Sequence, residues 1–143
     1  MIYAKIDLRK TDYVPMSSGW RYLKEPDPTQ LTELYLAYCR YKKFSSVMPI
    51  FDSEYTDLTN DVIGYYNKFD QLVAFSLIRR YNERDAECIQ FAWNYDEPKL
   101  RLGINSLKHE CALYRDRGFT HLYLGEANEY KGQIQGFEIL GPA

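Results

Sequence analysis

LGINSLKHE at residues 102–110 and GFTHLYLG at residues 118–125 are the two stretches that decide the fold of this chain. In the first, apolar residues recur at helical spacing, and Gly118 is placed to end the helix that they predict. Residues 119–125 are apolar almost without interruption, which predicts a strand buried on both faces. A helix followed by such a strand predicts a parallel neighbour, and we assign that neighbour to Glu87–Tyr95. The apolar stripe of the helix consists of Ile104, Leu107, Cys111 and Tyr114.

The rest of the chain predicts two further helices and several strands. Asp27 is placed to cap a helix that has Pro28 at its first position and runs to about Lys43. Asp52 and Ser53 start a second, short helix that reaches about Asn60. Alternating apolar residues separated by turn residues predict the remaining strands. These strands are Met1–Leu8, Trp20–Leu23, Asp61–Tyr66, Leu72–Tyr81 and the edge strand Phe137–Leu140.

The composition bounds the kind of protein. The chain has 143 residues, of which 45% are hydrophobic, and this size predicts a single domain over residues 1–143. The beginning of the chain lacks a signal-peptide pattern, and no segment approaches the roughly 18 consecutive apolar residues of a membrane span. We therefore expect a soluble, cytoplasmic protein without a membrane partner.

Cysteine, histidine and charge give further limits. The three cysteines are widely separated and form no C-x-x-C pair, and the two histidines have no ligand spacing. We predict neither a disulfide framework nor a metal site. The net charge of -2 gives no overall attraction to phosphate groups, so a nucleic-acid contact must rest on local basic patches.

The order of predicted elements resembles that of the GNAT acyltransferases. A strand, two helices, three antiparallel strands, a helix after a glycine loop, a buried strand and a terminal strand follow one another. The resemblance implies an α/β (α+β) fold with a mixed, largely antiparallel sheet and helices on both faces. It also implies a parallel pair of strands that splay apart and form a cleft.

Short motifs in the same order resemble the catalytic C-terminal domain of arginyl-tRNA protein transferases and their bacterial leucyl relatives. The resemblance covers about residues 30–142 and implies transfer of an amino acid from aminoacyl-tRNA to an amine, without coenzyme A or metal. The motifs are Tyr41-Lys42-Lys43, Leu72-Val73-Ala74, Tyr95-Asp96, Leu102-Gly103 with Ser106 and Glu110, Tyr123-Leu124-Gly125, Tyr130-Lys131-Gly132-Gln133 and Leu140-Gly141-Pro142.

The predicted cleft lies where the two parallel strands end. In a GNAT-type arrangement its walls are Trp93–Asp96 and Tyr123–Glu126. Acyl transfer needs hydrogen-bond donors for the oxyanion that develops on the acyl carbonyl. Backbone N–H groups near Asn94 are placed to face that oxygen, and we assign Asn94 and Tyr95 to the donor-binding part of the site.

Transfer to an amine also needs a base and a proton donor. Glu126, at the carboxyl end of the buried strand, is the first candidate for the base, acting directly or through water. Tyr123 and Tyr130 are the candidates for the proton donor. The alternatives are an exposed loop carboxylate for Glu126 and core packing for Tyr123.

We assign the start of the predicted helix to binding of the acyl donor. Gly103 allows close backbone approach, and the N–H groups of residues 105–107 are placed to receive a phosphate or a terminal ribose. Glu110 is expected to orient the loop rather than react. Lys131 is assigned to a tRNA phosphate, with a solvated turn lysine as the alternative. Residues assigned to donor binding in this region are Leu102, Gly103, Asn105, Ser106 and Lys131.

Three functions stay open. The leading one is aminoacyl transfer from charged tRNA to a protein or peptide amine, such as a protein N-terminus. The second is coenzyme A dependent N-acetyl transfer from acetyl-CoA. Its usual loop, [Q/R]-x-x-G-x-[G/A], aligns with Leu100, Gly103 and Asn105, and only the glycine matches. The third is a non-catalytic binding module, because a fold alone does not determine function and the segment between Tyr123 and Tyr130 is shorter than in the transferases.

Overall fold

The computed structural model describes residues 2–43, 50–126 and 131–142. Within these ranges no helix is long and apolar enough to cross a membrane. The helices are α1 Pro28–Lys42, α2 Asp52–Thr56 and α3 Leu102–Asp116, besides short 3-10 turns. The strands are β1 Ile2–Asp7, β2 Trp20–Tyr22, β3 Asn60–Tyr66, β4 Leu72–Arg80, β5 Asp85–Trp93, β6 His121–Glu126 and β7 Phe137–Pro142.

The described strands form one sheet in the order β2-β3-β4-β5-β6-β1-β7. Neighbouring strands run antiparallel, with the exception of β5 and β6, which are parallel. The predicted mixed, largely antiparallel sheet is confirmed. The predicted parallel pairing of β5 with the strand after α3 is confirmed as well.

Helices cover both faces of the sheet. Ala74 and Ile78 of β4 pack in the apolar cluster that contains α3 residues, whereas Phe75 and Leu77 pack in the cluster that contains α1 and α2 residues. This alternation is the side-chain period of a strand. The arrangement confirms the predicted placement of helices on both faces.

Strand β6 is buried on one face. Leu122 and Leu124 are buried, but His121 and Tyr123 between and beside them are only half-buried. The predicted burial of this strand on both faces is wrong, because α1 and α2 pack against β3, β4 and β5 instead.

The parallel strands separate after a short paired segment. The β5–β6 pairs run from Asp85↔His121 to Glu87↔Tyr123 and stop there. Beyond that point β5 continues along β4 to Trp93, and β6 continues along β1 to Glu126. The strands therefore splay apart, as the resemblance implied.

Two element ends differ from the sequence prediction. Helix α2 ends at Thr56, because the Asp57 side chain accepts the Thr59 backbone N–H at 2.8 Å and so favours a turn there. Strand β5 ends at Trp93 rather than Tyr95, because Tyr95 has a left-handed φ of 61°.

Gly136 places the outer strand β7 beside β1. Its φ is +74°, and a Cβ built there would lie 2.4 Å from the Asp7 carbonyl oxygen. The Asp7 N–H donates to the Gly136 carbonyl at 2.9 Å. A backbone approach this close requires glycine.

Candidate active site

The gap between β5 and β6 opens into a cavity of about 660 Å³. Its walls come from β4, β5, the first turns of α3, the end of α1 and Leu124 of β6. A site of this size at the ends of parallel strands can hold a small-molecule group or the reactive end of a larger ligand. The polar side chains along it include Lys42, Ser76, Cys88, Glu110 and Lys131.

Glu110 is a buried acid on the α3 side of this cavity. It is 3% exposed and lines the cavity. The Tyr65 hydroxyl of β3 and the Ser76 hydroxyl of β4 both donate to Glu110 Oε2, the latter at 2.7 Å. Hydrogen bonds from two neighbouring strands therefore fix the position of this carboxyl group.

The environment of Glu110 favours its protonated form. Burial raises the pKa of Glu110 to about 7, and the hydrogen bonds from Tyr65 and Ser76 act in the opposite direction. Near neutral pH both forms of the group are populated, so it can accept a proton and return it. Burial, followed by the nearby Glu110, raises the pKa of the Cys88 thiol well above its usual range, which makes Cys88 a poor nucleophile.

The start of α3 offers a short row of backbone donors. The N–H of Leu100 donates to Glu97 at 3.0 Å, and the N–H of Arg101 donates to Pro98 at 3.1 Å. The N–H of Asn105 donates to Arg101 at 3.0 Å inside the helix. Because the first N–H groups of a helix have no intrahelical acceptor, those of residues 102–104 are the ones placed for a ligand.

Gly103 belongs to this row and has no packing neighbour. A Cβ built on it would meet nothing within 4 Å, and the residue lines the cavity. Packing in the described chain therefore does not require glycine at this position. A ligand can approach the backbone of residue 103 closely.

Basic side chains reach the cavity from three elements. Lys42 comes from the end of α1, Arg101 from the residue before α3, and Lys131 from the turn before β7. Lys131 Nζ donates to the carbonyl of Leu124 at 3.3 Å. Leu124 is the first β6 residue beyond the last β5–β6 pair, so this ammonium group lies where the strands separate.

Several predicted site residues do lie together. Tyr95, Gly103, Ser106 and Lys131 all line the cavity. The Ser106 hydroxyl donates to the Gly103 carbonyl at 3.3 Å, so it supports the first turn of α3.

Other predicted donor-binding residues have structural roles. The Asn94 N–H donates to the Val73 carbonyl at 3.0 Å. Because this N–H is already used, its predicted contact with the oxyanion is wrong. Leu102 is 5% exposed and packs in the core. The Asn105 side chain donates to the Leu100 carbonyl at 2.9 Å, and the Asn105 backbone N–H donates inside α3. The predicted contact of this N–H with a phosphate is therefore wrong.

The structure places Tyr123 away from the cavity. It lines a separate hollow with Tyr3, Tyr81 and Glu87, because alternate residues of a strand point to opposite faces and Leu124 faces the cavity. The predicted role of Tyr123 as proton donor in this cleft is corrected accordingly. The backbone of Glu126 pairs with Tyr3 at the end of β6. The placement of the Glu126 side chain and the whole of Tyr130 lie outside the described residues, so both stay predictions.

Sequence reasoning gave Glu110 only an orienting role and missed Ser76 and Tyr65. A signal for Glu110 was present, since it follows Leu107 by three residues and precedes Tyr114 by four, which puts it on the apolar face of α3. Ser76 stands between Phe75 and Leu77 in an apolar strand. A polar residue embedded in an apolar pattern marks a candidate for a buried hydrogen bond.

No family model matches the chain, and no curated protein matches its sequence. Solved structures do match. N-myristoyltransferase of Saccharomyces cerevisiae, solved with bound myristoyl-CoA, has a TM-score of 0.61 at 13% identity, over 87% of this chain and 37% of that one. L-PGS from Bacillus licheniformis has a TM-score of 0.64 at 15% identity, over 88% and 46%.

A third match is a structure assigned to the GNAT acetyltransferases, from Novosphingobium aromaticivorans. Its TM-score is 0.66 at 19% identity, over 96% of this chain and 58% of that one. The chain thus spans less than two thirds of the length of these three proteins. At such identities the likeness concerns the fold, and it shows that this chain has the fold of the GNAT acyltransferases.

Proposed function

We propose that this chain is an acyltransferase that moves an aminoacyl group from aminoacyl-tRNA to an amine, such as the N-terminus of a protein or peptide. The observation that carries the proposal is Glu110, a buried carboxyl with a pKa of about 7 in the cavity between the splayed strands. The fold of the GNAT acyltransferases supports the reaction class.

Glu110 can serve both proton steps of the reaction. As a carboxylate it takes a proton from the neutral amine nitrogen while that nitrogen forms a bond to the ester carbonyl carbon. The ester C–O bond breaks, and the protonated Glu110 returns a proton to the leaving ribose oxygen. A group with a pKa near the working pH is suited to both roles, and Tyr65 and Ser76 hold it in place.

The backbone N–H groups and basic side chains of the cavity support binding of an RNA end rather than of a pyrophosphate. Leu100 and Arg101 use their N–H groups within the 3-10 turn before α3, so the row at residues 102–104 matches a single phosphate. Lys42, Arg101 and Lys131 add positive charge along the cavity. The resemblance to arginyl-tRNA protein transferases points the same way.

Acetyl transfer from acetyl-CoA is the second candidate. It is favoured by the space over Gly103 and by the acetyltransferase from Novosphingobium aromaticivorans among the solved neighbours. A binding module without catalysis is the third. In that case the buried Glu110 has no chemical task, although its burial costs stability.

Two assays separate these functions. The protein is incubated with tRNA charged with labelled amino acids and with peptides that have a free N-terminus, and label in the peptide is counted. In parallel, thermal unfolding is followed with acetyl-CoA, since a ligand at about one hundred times its Kd adds about 2.7 kcal/mol of stability. We expect label transfer and no acetyl-CoA shift. A shift without label transfer would support the acetyltransferase, and neither signal would support the binding module.

A further inference from the structure

A stack of aromatic rings extends from the cavity, which Tyr38, Trp93 and Tyr95 line, to the exposed Tyr41. Tyr38 and Tyr41 extend from the end of α1, and Trp93 and Tyr95 extend from the end of β5. The Tyr41 and Tyr95 rings lie 3.9 Å apart at 12°, and the Trp93 and Tyr95 rings lie 4.3 Å apart at 29°. Tyr38 lies parallel to Tyr95 at 6.1 Å. We call these four residues the aromatic wall.

The aromatic wall differs from ordinary core packing in two ways. Tyr41 is 57% exposed although it is a large aromatic ring stacked on another. Tyr95 holds its ring in the stack with a φ of 61°, a left-handed conformation that strains a bulky residue by about 1–3 kcal/mol. Strain of this kind persists where the surrounding structure fixes a residue, and it is typical of ligand-binding positions.

Trp93 is an independent observation that points to a ligand at this position. The residue is 4% exposed and lines the cavity. Among the described residues its indole N–H has no hydrogen-bond partner. A buried donor of this kind is costly unless something accepts its hydrogen.

Positive charge lies next to the rings. Lys42 Nζ is 5.4 Å from the centre of the Tyr95 ring and lines the cavity, as does Arg101. An exposed ring face with basic side chains beside it is the combination that binds single-stranded nucleic acid, where bases stack and phosphates contact the cations. The same charge disfavours an ammonium ligand at this place.

We propose that the aromatic wall is a stacking site for the unpaired terminal nucleobase of the acyl donor, with Lys42 and Arg101 beside the phosphates that follow it. The inference rests on the proposed function and names the part of the site that recognises the RNA end. Besides Tyr95, which the sequence already assigned to donor binding, it adds Tyr41, Trp93 and Lys42 as residues that set donor specificity.

Binding of a fluorescent RNA tests the wall without any chemistry. The probe is a short single-stranded RNA with the terminal sequence CCA, measured by anisotropy at fixed salt, because phosphate contacts vary with salt. Tyr41→Ala removes the exposed ring, Tyr41→Phe keeps it, and Tyr81→Ala is the matched control, since Tyr81 is 54% exposed and lines the separate hollow. We expect about tenfold weaker binding for Tyr41→Ala, and near-unchanged binding for the other two.

Each other outcome overturns the stacking site. The wild-type protein fails to bind the RNA, Tyr41→Ala binds as tightly as wild type, or Tyr81→Ala weakens binding as much as Tyr41→Ala. A blunt RNA duplex of equal charge that competes equally well with the probe also overturns it, because a paired base is not free to stack.

The transfer assay keeps this inference distinct from the proposed function. With a stacking site, Tyr41→Ala raises the KM for aminoacyl-tRNA about tenfold and leaves kcat near the wild-type value. RNA binding that depends on Tyr41, without any aminoacyl transfer, upholds the stacking site and rejects the proposed function. Aminoacyl transfer with an unchanged KM in Tyr41→Ala does the reverse.

Discussion

Two acids tie α3 to the sheet, the half-buried Asp61 and the buried Glu110, and their partners differ. Asp61 of β3 accepts hydrogen bonds from the Tyr114 hydroxyl at 2.5 Å and from Arg117 Nη1 at 2.9 Å, and it forms an ion pair with Arg80, whose Nε lies at 3.4 Å. Glu110, one turn before Tyr114 on α3, accepts the hydroxyls of Tyr65 and Ser76. The first acid is bound by two guanidinium groups and a phenol, and the second by two hydroxyl groups.

On this difference we assign a structural role to Asp61 and a reactive role to Glu110. Burial lowers the pKa of Arg117, but the hydrogen bonds to Asp61 and Tyr22 outweigh this effect and raise it, so the Arg117 guanidinium keeps its charge beside Asp61. Burial raises the pKa of Glu110 to about 7, so its charge changes near neutral pH. Of these two similar Tyr–carboxyl contacts one helical turn apart, the contact at Asp61 holds the helix, and the contact at Glu110 is the one to which we assign proton exchange.

The largest expected effect is on catalysis. Glu110→Gln keeps the shape of the side chain but removes its proton exchange, and we expect kcat to fall by about 10²- to 10⁴-fold in the aminoacyl transfer assay. Asp61→Asn is the matched control and should keep kcat within a few-fold of wild type in folded protein. Equal losses in the two variants would show that Glu110 is no more reactive than Asp61.

The second prediction concerns stability against pH. The pKa of Glu110 in the folded state is raised from 4.5 to about 7. The stabilising contribution of protonated Glu110 is therefore complete below about pH 4.5, and it is lost as the pH rises through 7. The loss is of the order of 3 kcal/mol. Urea unfolding at pH 5 and pH 8 should therefore show a smaller decline in Glu110→Gln than in wild type.

His109 changes its protonation in an overlapping pH range, and its effect on stability has the opposite sign. The variant must therefore be compared with wild type, in which the same His109 effect is present. Burial lowers the pKa of His109 to about 4, and its contribution is lost as the pH falls from about 6.5 towards 4. The same pH dependence in both proteins would mean that Glu110 is ionised normally.

The third prediction concerns the structural acid. Asp61→Asn removes the negative charge that pairs with Arg117 and Arg80. The Arg117 side chain is 35% exposed. We expect a loss of about 1–3 kcal/mol in the free energy of unfolding, measured by urea denaturation at pH 7. Glu110→Gln should not lose stability at this pH. A larger loss in Glu110→Gln would reverse the roles of the two acids.

The smallest expected effects come from the two tyrosines. Tyr114→Phe should cost about 1 kcal/mol of stability and leave the pH profile of transfer unchanged, because Asp61 keeps its arginines. Tyr65→Phe removes a hydrogen bond that lowers the pKa of Glu110, so the rise of kcat/KM with pH should move to higher pH. A profile that moves in both variants, or in neither, would remove the distinction between the two contacts.

The sequence predicted the position of α3 well but did not show the burial and the hydrogen-bond partners of Glu110. Gly118 and the apolar stripe marked the helix, and it ends at Asp116. Glu126 ranked above Glu110 because a carboxylate after a strand is a common place for a base. The hydroxyl partners of Glu110 come from β3 and β4, 45 and 34 residues away in the chain. Neither helical spacing nor capping signals report such long-range contacts.

Strand register was the other feature that the sequence did not provide. The Asn94 N–H continues the pairing of β5 with β4 by bonding to Val73, and only the register shows that it is used. Along β6 the pattern was apolar at consecutive positions, so it did not show that Leu124 faces the cavity and Tyr123 faces away. The side on which helices lie decided this, and that depends on the whole fold.

Gly136 limits the substitutions that this protein can accept during evolution. It is half-buried, yet a side chain there would meet the Asp7 backbone at 2.4 Å, and backbone gives way less readily than a side chain. Leu122 is fully buried, but cores accept swaps of similar volume, such as Leu for Ile or Met. Among drifting sequences of this fold, position 136 should therefore vary less than position 122, so exposure ranks these two positions in the wrong order.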